Sequence, residues 1–162
     1  MSQGIMYTAV FKGVAVTAQQ DFFELKAPAA ASVRVHAWIL SQETEIGDAQ
    51  EEMLRITTNR GSGSVTSGTG GTTPTATPAI RTSPAFGGTV EANNTTKLAV
   101  GSGTLTTDLE VHNWNERVPY AQWYSPETRP VVLGGEYWTL ELETTPADSV
   151  TISGVLYFEV FG

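Results

Sequence analysis

Apolar residues recur at every second position through most of this chain, and that alternation limits it to β structure. In EYWTLELETT (136–145), Trp138, Leu140 and Leu142 fall on one face and Tyr137, Thr139, Glu141 and Glu143 on the other. This is the pattern of a strand with one side buried and one side wet. SVTISGVLYFEVF (149–161) repeats it, with Val150, Ile152, Leu156, Phe158 and Val160 opposite Thr151, Ser153, Tyr157 and Glu159. Further strands are predicted over 7–17, 32–43, 88–92, 103–114 and 129–133, where β-branched and aromatic residues gather. FFELKAP (22–28) adds another, stopped by Pro28. EEMLRITTNR (51–60) sets Leu54, Ile56 and Thr58 against Met53, Arg55 and Thr57 and reads as a strand, preceded by a helical turn at 47–52. Gly134-Gly135 reads as a tight hairpin turn and Pro146–Ser149 as the next turn.

About eight antiparallel strands without crossover helices suit an all-β, two-sheet sandwich. Jelly-roll topology is preferred over an immunoglobulin-like domain, with an up-and-down barrel third. The length of 162 residues fits one domain over the whole chain, with one hydrophobic core. Cysteine is absent, so disulfides and thiolate metal sites are excluded and packing must stabilise the fold. The longest apolar run falls short of a membrane helix, and the amino-terminal MSQGIMYTAVFKG lacks the blocks of a signal peptide. A soluble, unexported product is expected. Nine basic and seventeen acidic residues leave a net charge of -8, and the basic ones are scattered from Lys12 to Arg129. Such a surface repels a phosphate backbone, so nucleic acid is not an expected partner; the acidity reads as a solubility device.

Residues 61–84, GSGSVTSGTGGTTPTATPAIRTSP, carry one charged side chain, Arg81. They are too poor in apolar groups to form core and too rich in Gly, Ser, Thr and Pro for regular structure, which makes 61–87 an extended loop or arm. Loops of this length inside a compact domain are uncommon and are functional or disordered. Thr and Pro favour extended backbone, and the lack of charge lowers the cost of lying against a neighbouring surface. An arm docked on another subunit and a floppy linker both fit.

The titratable and nucleophilic residues fall in no known catalytic or metal-binding spacing. His36 and His112 are the only histidines, one per predicted strand, with no third nitrogen or thiolate to complete a zinc site. They read as structural. The serines of GSGSVTSG lack the strand and helix that a nucleophile elbow requires. Glu43, Glu45, Asp48, Glu51 and Glu52 lack calcium-loop spacing and read as a solvated turn. Glu141 and Glu159 read as outward residues of alternating strands rather than a glycosidase pair. Gly70-Gly71 has neither the helix nor the Lys of a phosphate loop. No catalytic residue, cofactor or metal is assigned. The window HNWNERVPYAQWYSPETRP (112–130) sets Trp114, Tyr120, Trp123 and Tyr124 among Asn, Gln, Glu and Arg. That composition suits core anchors under a long loop, a protein interface or a sugar-stacking platform, and exposure of the tryptophans discriminates between them.

The ordered string MYTAVFKGVAVTAQQDFFELKAPAAASVRVHAWILSQETEIGDAQEEMLRI, followed by GTTPTATP, GGTVEANNTT, YSPETRPVV and TISGVLYFEVFG, resembles a family of small proteins encoded among the virion genes of tailed bacteriophages. GDAQEEMLRI, the Thr-Pro ribbon and VEANNTT are its most specific pieces. The resemblance implies a non-enzymatic capsid cement or decoration protein, on the virion surface and in the host cytoplasm during assembly. Its implied partners are the major capsid protein and two further copies in a homotrimer. Thr73, Pro74, Thr75, Pro78 and Arg81 of the ribbon, with Trp114, Tyr120, Trp123 and Tyr124, are the expected contact residues. A carbohydrate-binding head-fibre or tail module is the alternative.

Overall fold

The computed structural model describes residues 4–43 and 52–162, which hold eleven strands and no helix. They are β1 (Ile5–Val16), β2 (Gln20–Lys26), β3 (Ser32–Gln42), β4 (Met53–Ser62), β5 (Thr77–Pro78), β6 (Thr89–Asn94), β7 (Thr104–Asn115), β8 (Tyr120–Trp123), β9 (Val131–Val132), β10 (Tyr137–Leu142) and β11 (Val150–Phe161). The expected helical turn falls outside the described residues apart from Glu52, as do Glu45, Asp48 and Glu51 of the acidic cluster.

Two antiparallel sheets form, as the alternation predicts. One runs β5-β1-β11-β3-β8, with β9 also on β3; the other runs β6-β2-β10-β4-β7. The first long strand pairs with the last and the second with the penultimate, and β3 and β4 flank these pairs in opposite sheets, beside β11 and β10. Two antiparallel sheets packed face to face in this way make a β-sandwich.

The inward positions fill the space between the sheets. Tyr7, Ala9 and Phe11 of β1 and Leu156 and Phe158 of β11 face Trp138, Leu140 and Leu142 of β10, all buried. A bulge in the β2–β10 pairing between Leu140 and Glu141 lets both Phe22 and Phe23 reach Phe11, at ring-centroid separations of 6.2 and 5.1 Å. Each such buried side chain contributes about 1.5–3 kcal/mol over its exposed state.

Two local expectations are corrected. Gly134-Gly135 is a turn but not a hairpin, because β9 pairs with β3 in one sheet and β10 with β2 and β4 in the other. It is a crossing between layers, held by the Gly135 N–H against the carbonyls of Ala27 and Pro28. The second face of β10 is not wet: Tyr137 and Thr139 are buried and Glu141 is half-buried.

The cover over that face is the chain's own ribbon. Leaving β4, it runs antiparallel to the segment that enters β7, with bridges Thr66–Ala99, Thr69–Thr96 and Thr72–Ala92. This strap is pinned to the polar outer face of the five-stranded sheet. Glu24 accepts hydrogen bonds from the Ser67 hydroxyl and, at 2.8 Å, from the Gly68 N–H; Asp21 accepts the Leu98 N–H at 2.7 Å; Lys97 pairs with Glu141. The ribbon's glycines make the approach possible. A Cβ on Gly68 would stand 2.6 Å from the Thr96 carbonyl, and one on Gly71 would stand 2.2 Å from that of Ala92. Beyond the strap the ribbon crosses to the other sheet, where Thr77 and Pro78 pair with Thr8 and Tyr7. Phe86 then closes the sandwich on that side, against Tyr7 at 5.5 Å and Phe158 at 4.9 Å.

Candidate interaction face

The outer face of the six-stranded sheet carries the opposite pattern, apolar and uncovered by the described residues. Register brings Val10, Val155, Ile39 and Ala121 into one row across β1, β11, β3 and β8, and Thr8, Tyr157, Ala37 and Trp123 into the next. Residues directly opposite in an antiparallel ladder share a face, so these rows form one strip four strands wide, about 14 Å across. Val10 is 49% exposed and Trp123 64%. The Trp123 ring lies along Tyr157, with centroids 5.8 Å apart and planes 23° from parallel, and roofs the buried Ala37 between their strands.

Polar groups frame the strip at both ends. On one side Glu159 accepts hydrogen bonds from the Gly4 N–H at 2.9 Å and pairs with His36 Nε2 at 3.0 Å and Arg34 at 3.7 Å. Burial acts to raise the Glu159 pKa, but these hydrogen bonds and charges outweigh it and hold the carboxyl below its ordinary range. On the other side the Ser153 hydroxyl joins Glu43 and accepts the Gly13 N–H at 2.9 Å. An apolar centre inside a polar rim is the anatomy of a protein–protein contact.

The residues expected to make contacts separate into distinct places. Trp123 stands on the strip. Trp114 is 1% exposed, and its indole N–H donates to the Val118 carbonyl. It is a core anchor and not a contact residue, because it continues the inward face of β7. Tyr124 is corrected in the same way: it is buried, its hydroxyl accepting from Trp38 Nε1 at 3.2 Å and donating to Glu110. Burial first, and the bond to Glu110 second, push its pKa up. Tyr120 is half-buried and faces inward, stacked on Trp38 at 5.3 Å and bonded to His112 Nδ1 at 2.8 Å. In the ribbon, Thr73, Thr75 and Arg81 are exposed and Pro74 and Pro78 half-buried. Thr73, Pro74 and Thr75 line a shallow groove of about 280 Å³ with Phe86 and Val90. The ribbon meets the six-stranded sheet at β5 and Trp123 sits on β8, the opposite edge. The two expected contact groups therefore do not converge; the strip lies between them.

Sequence reasoning missed Val10, Ile39 and Val155 as surface groups, while the alternation had already set Tyr157 on the outward face of its strand. Their signal was present: VFKGVAV, HAWIL and GVLYF are apolar at consecutive positions, which marks strands apolar on both faces. Both histidines have structural partners, and among the described residues no group of three or more His, Asp or Glu could hold a metal ion.

No protein-family model matches the chain, and no curated protein matches it. Among solved structures, a chain of the "Structure of infectious bursal disease virus Gx strain" aligns with 96% of this chain, at 11% identity and a TM-score of 0.21. The alignment spans 41% of that chain's length, and a likeness so low carries no argument about fold or function.

Proposed function

We propose that this chain is a non-enzymatic virion structural protein, a capsid decoration protein that binds the major capsid protein through the outer face of its six-stranded sheet. The carrying observation is an inversion. The chain covers its polar sheet face with its own ribbon and leaves its apolar face, which carries Trp123 at its β8 edge, uncovered by any described residue. Desolvating a flat strip of Val10, Ile39, Val155, Tyr157 and Trp123 favours association and asks for no chemistry. A protein that binds only the assembled lattice stabilises that lattice by its binding free energy, and a homotrimer would multiply the effect through effective concentration.

The test is co-sedimentation with purified phage capsids, beside light scattering of the free protein. Trp123→Ser should remove the strip's largest exposed side chain, weakening binding by about 30-fold or more, the loss of an interface hot spot at about 2 kcal/mol. Retained binding by that variant, with the fold intact by near-ultraviolet circular dichroism, overturns the proposal.

A further inference from the structure

We propose a second, independent site: the cleft between β7 and the connection from β8 to β9 binds a single neutral saccharide unit. The cleft holds about 200 Å³ and opens between the sheets on the side away from the ribbon's Phe86 closure. Trp138, Arg60 and Glu110 line it, with Leu109, Pro130 and Val131 as its apolar wall.

Three polar groups there await a ligand or are set to receive one. Trp138 is 1% exposed, yet its indole N–H has no hydrogen-bond partner among the described residues. A buried donor left so is costly, and it is commonly answered by a bound molecule. Arg60 is the cross-strand neighbour of Trp138, is exposed, and forms no ion pair with any described residue in spite of the chain's acidity. Glu110 faces Thr58 across the β4–β7 ladder. It is anchored by the Tyr124 hydroxyl, with His112 Nε2 3.8 Å away, beyond hydrogen-bond reach.

The arrangement selects the ligand class. The Glu110 carboxylate disfavours an anion, the Arg60 guanidinium disfavours a cation, and together they offer an acceptor beside a donor fork. Vicinal hydroxyls, which both donate and accept, satisfy the pair; a ring oxygen or hydroxyl answers the Trp138 N–H. The C–H face of a pyranose fits the wall of Leu109, Pro130 and Val131.

The test follows the Trp138 indole ¹H–¹⁵N cross-peak, assigned by its loss in Trp138→Phe, during titration with the methyl pyranosides of glucose, galactose and mannose into the millimolar range expected for so small a ligand. The expected result is a saturable shift for at least one pyranoside, with affinity weakened about tenfold or more in Arg60→Ala, the loss of a charge-assisted hydrogen bond. Glu110→Gln, which keeps the side chain's size, should weaken it likewise. Immobility of the cross-peak with all three sugars overturns the proposal. So does a shift that Arg60→Ala leaves unchanged, or a response to sodium sulfate at lower concentration than to any pyranoside.

Discussion

Trp123 and Tyr157 stack across the outer face of the six-stranded sheet, one strand apart, with Ala37 sealed beneath them. Their contact holds a large aromatic ring flat at the surface instead of letting it fold into the core. Trp114, nine residues earlier, is buried. The same side chain thus serves opposite ends in one window of sequence.

Alanine at these two positions should therefore separate stability from binding. Trp114→Ala opens a cavity in the core and should cost about 3–5 kcal/mol in urea unfolding. Trp123→Ala should cost under about 1 kcal/mol, since it loses one exposed aromatic pair. Equal losses would place Trp123 in the structural framework and remove it from the interaction face.

The ribbon should behave as part of the fold. Gly71→Ala puts a methyl group against the Ala92 carbonyl and forces the strap off the sheet. A cost of about 1–3 kcal/mol is expected for such overpacking. Hydrogen exchange gives the sharper reading: the amides of Thr72 and Ala92, which bond to each other's carbonyls, should exchange faster while those of β11 keep their protection. Unchanged exchange at both sites would mean that the strap is not held there.

How far the sequence carried is explained by the range of the forces involved. The alternation in β10 and β11 is local, so these strands and the two-sheet architecture were legible from the residues alone. β8 was not, since Tyr120–Trp123 is four residues long and sits between Pro119 and Ser125-Pro126, which read as loop. Burial of the outer side of β10 was illegible for a different reason: its cover arrives from far along the chain, with Ser67 bonding Glu24 and Leu98 bonding Asp21. Glycine richness in 61–71 fits a slack linker and a tight backbone approach equally, and only the neighbouring carbonyls decide between them. In β7 the inward positions 110 and 112 are Glu and His, so the polar face points in, and the alternation could not decide between core and contact for Trp114.

Acidification should stabilise the strap. Asp21 is 1% exposed beneath it, and burial, with Glu141 and Glu24 nearby, lifts its pKa to about 7 against the hydrogen bond from Leu98 and the charge of Lys97. Glu24 shifts upward too, chiefly through burial. Between the unfolded carboxyl value of about 4 and the folded value the native state binds more protons than the unfolded one, so stability falls as pH rises through that window. Unfolding midpoints should rise from pH 8 to pH 5. Asp21→Asn keeps an acceptor for the Leu98 N–H and removes the charge; it should be more stable than the parent at pH 8 and flatten the profile. A steeper profile in that variant would contradict the assignment.

Glu110 works in the opposite sense and gives the last test. Burial acts to raise its pKa, but the His112 contact and the hydrogen bonds from Tyr124 and Thr58 bring it below the ordinary glutamate value. A depressed carboxyl contributes stability above its unfolded pKa of about 4.3, and that contribution is lost as pH falls through the folded value. Tyr124→Phe removes a hydrogen bond to this charge and leaves the Trp38 indole N–H, itself fully buried, without its acceptor. The expected cost at neutral pH is about 2 kcal/mol or somewhat more, for one bond to a charged group and one stranded donor. Below the folded pKa of Glu110 the first part disappears, because the carboxyl is neutral in both states, while the stranded indole remains. The penalty measured by urea unfolding should therefore shrink between pH 7 and pH 3 without vanishing. A penalty independent of pH would show that Tyr124 acts through the indole alone.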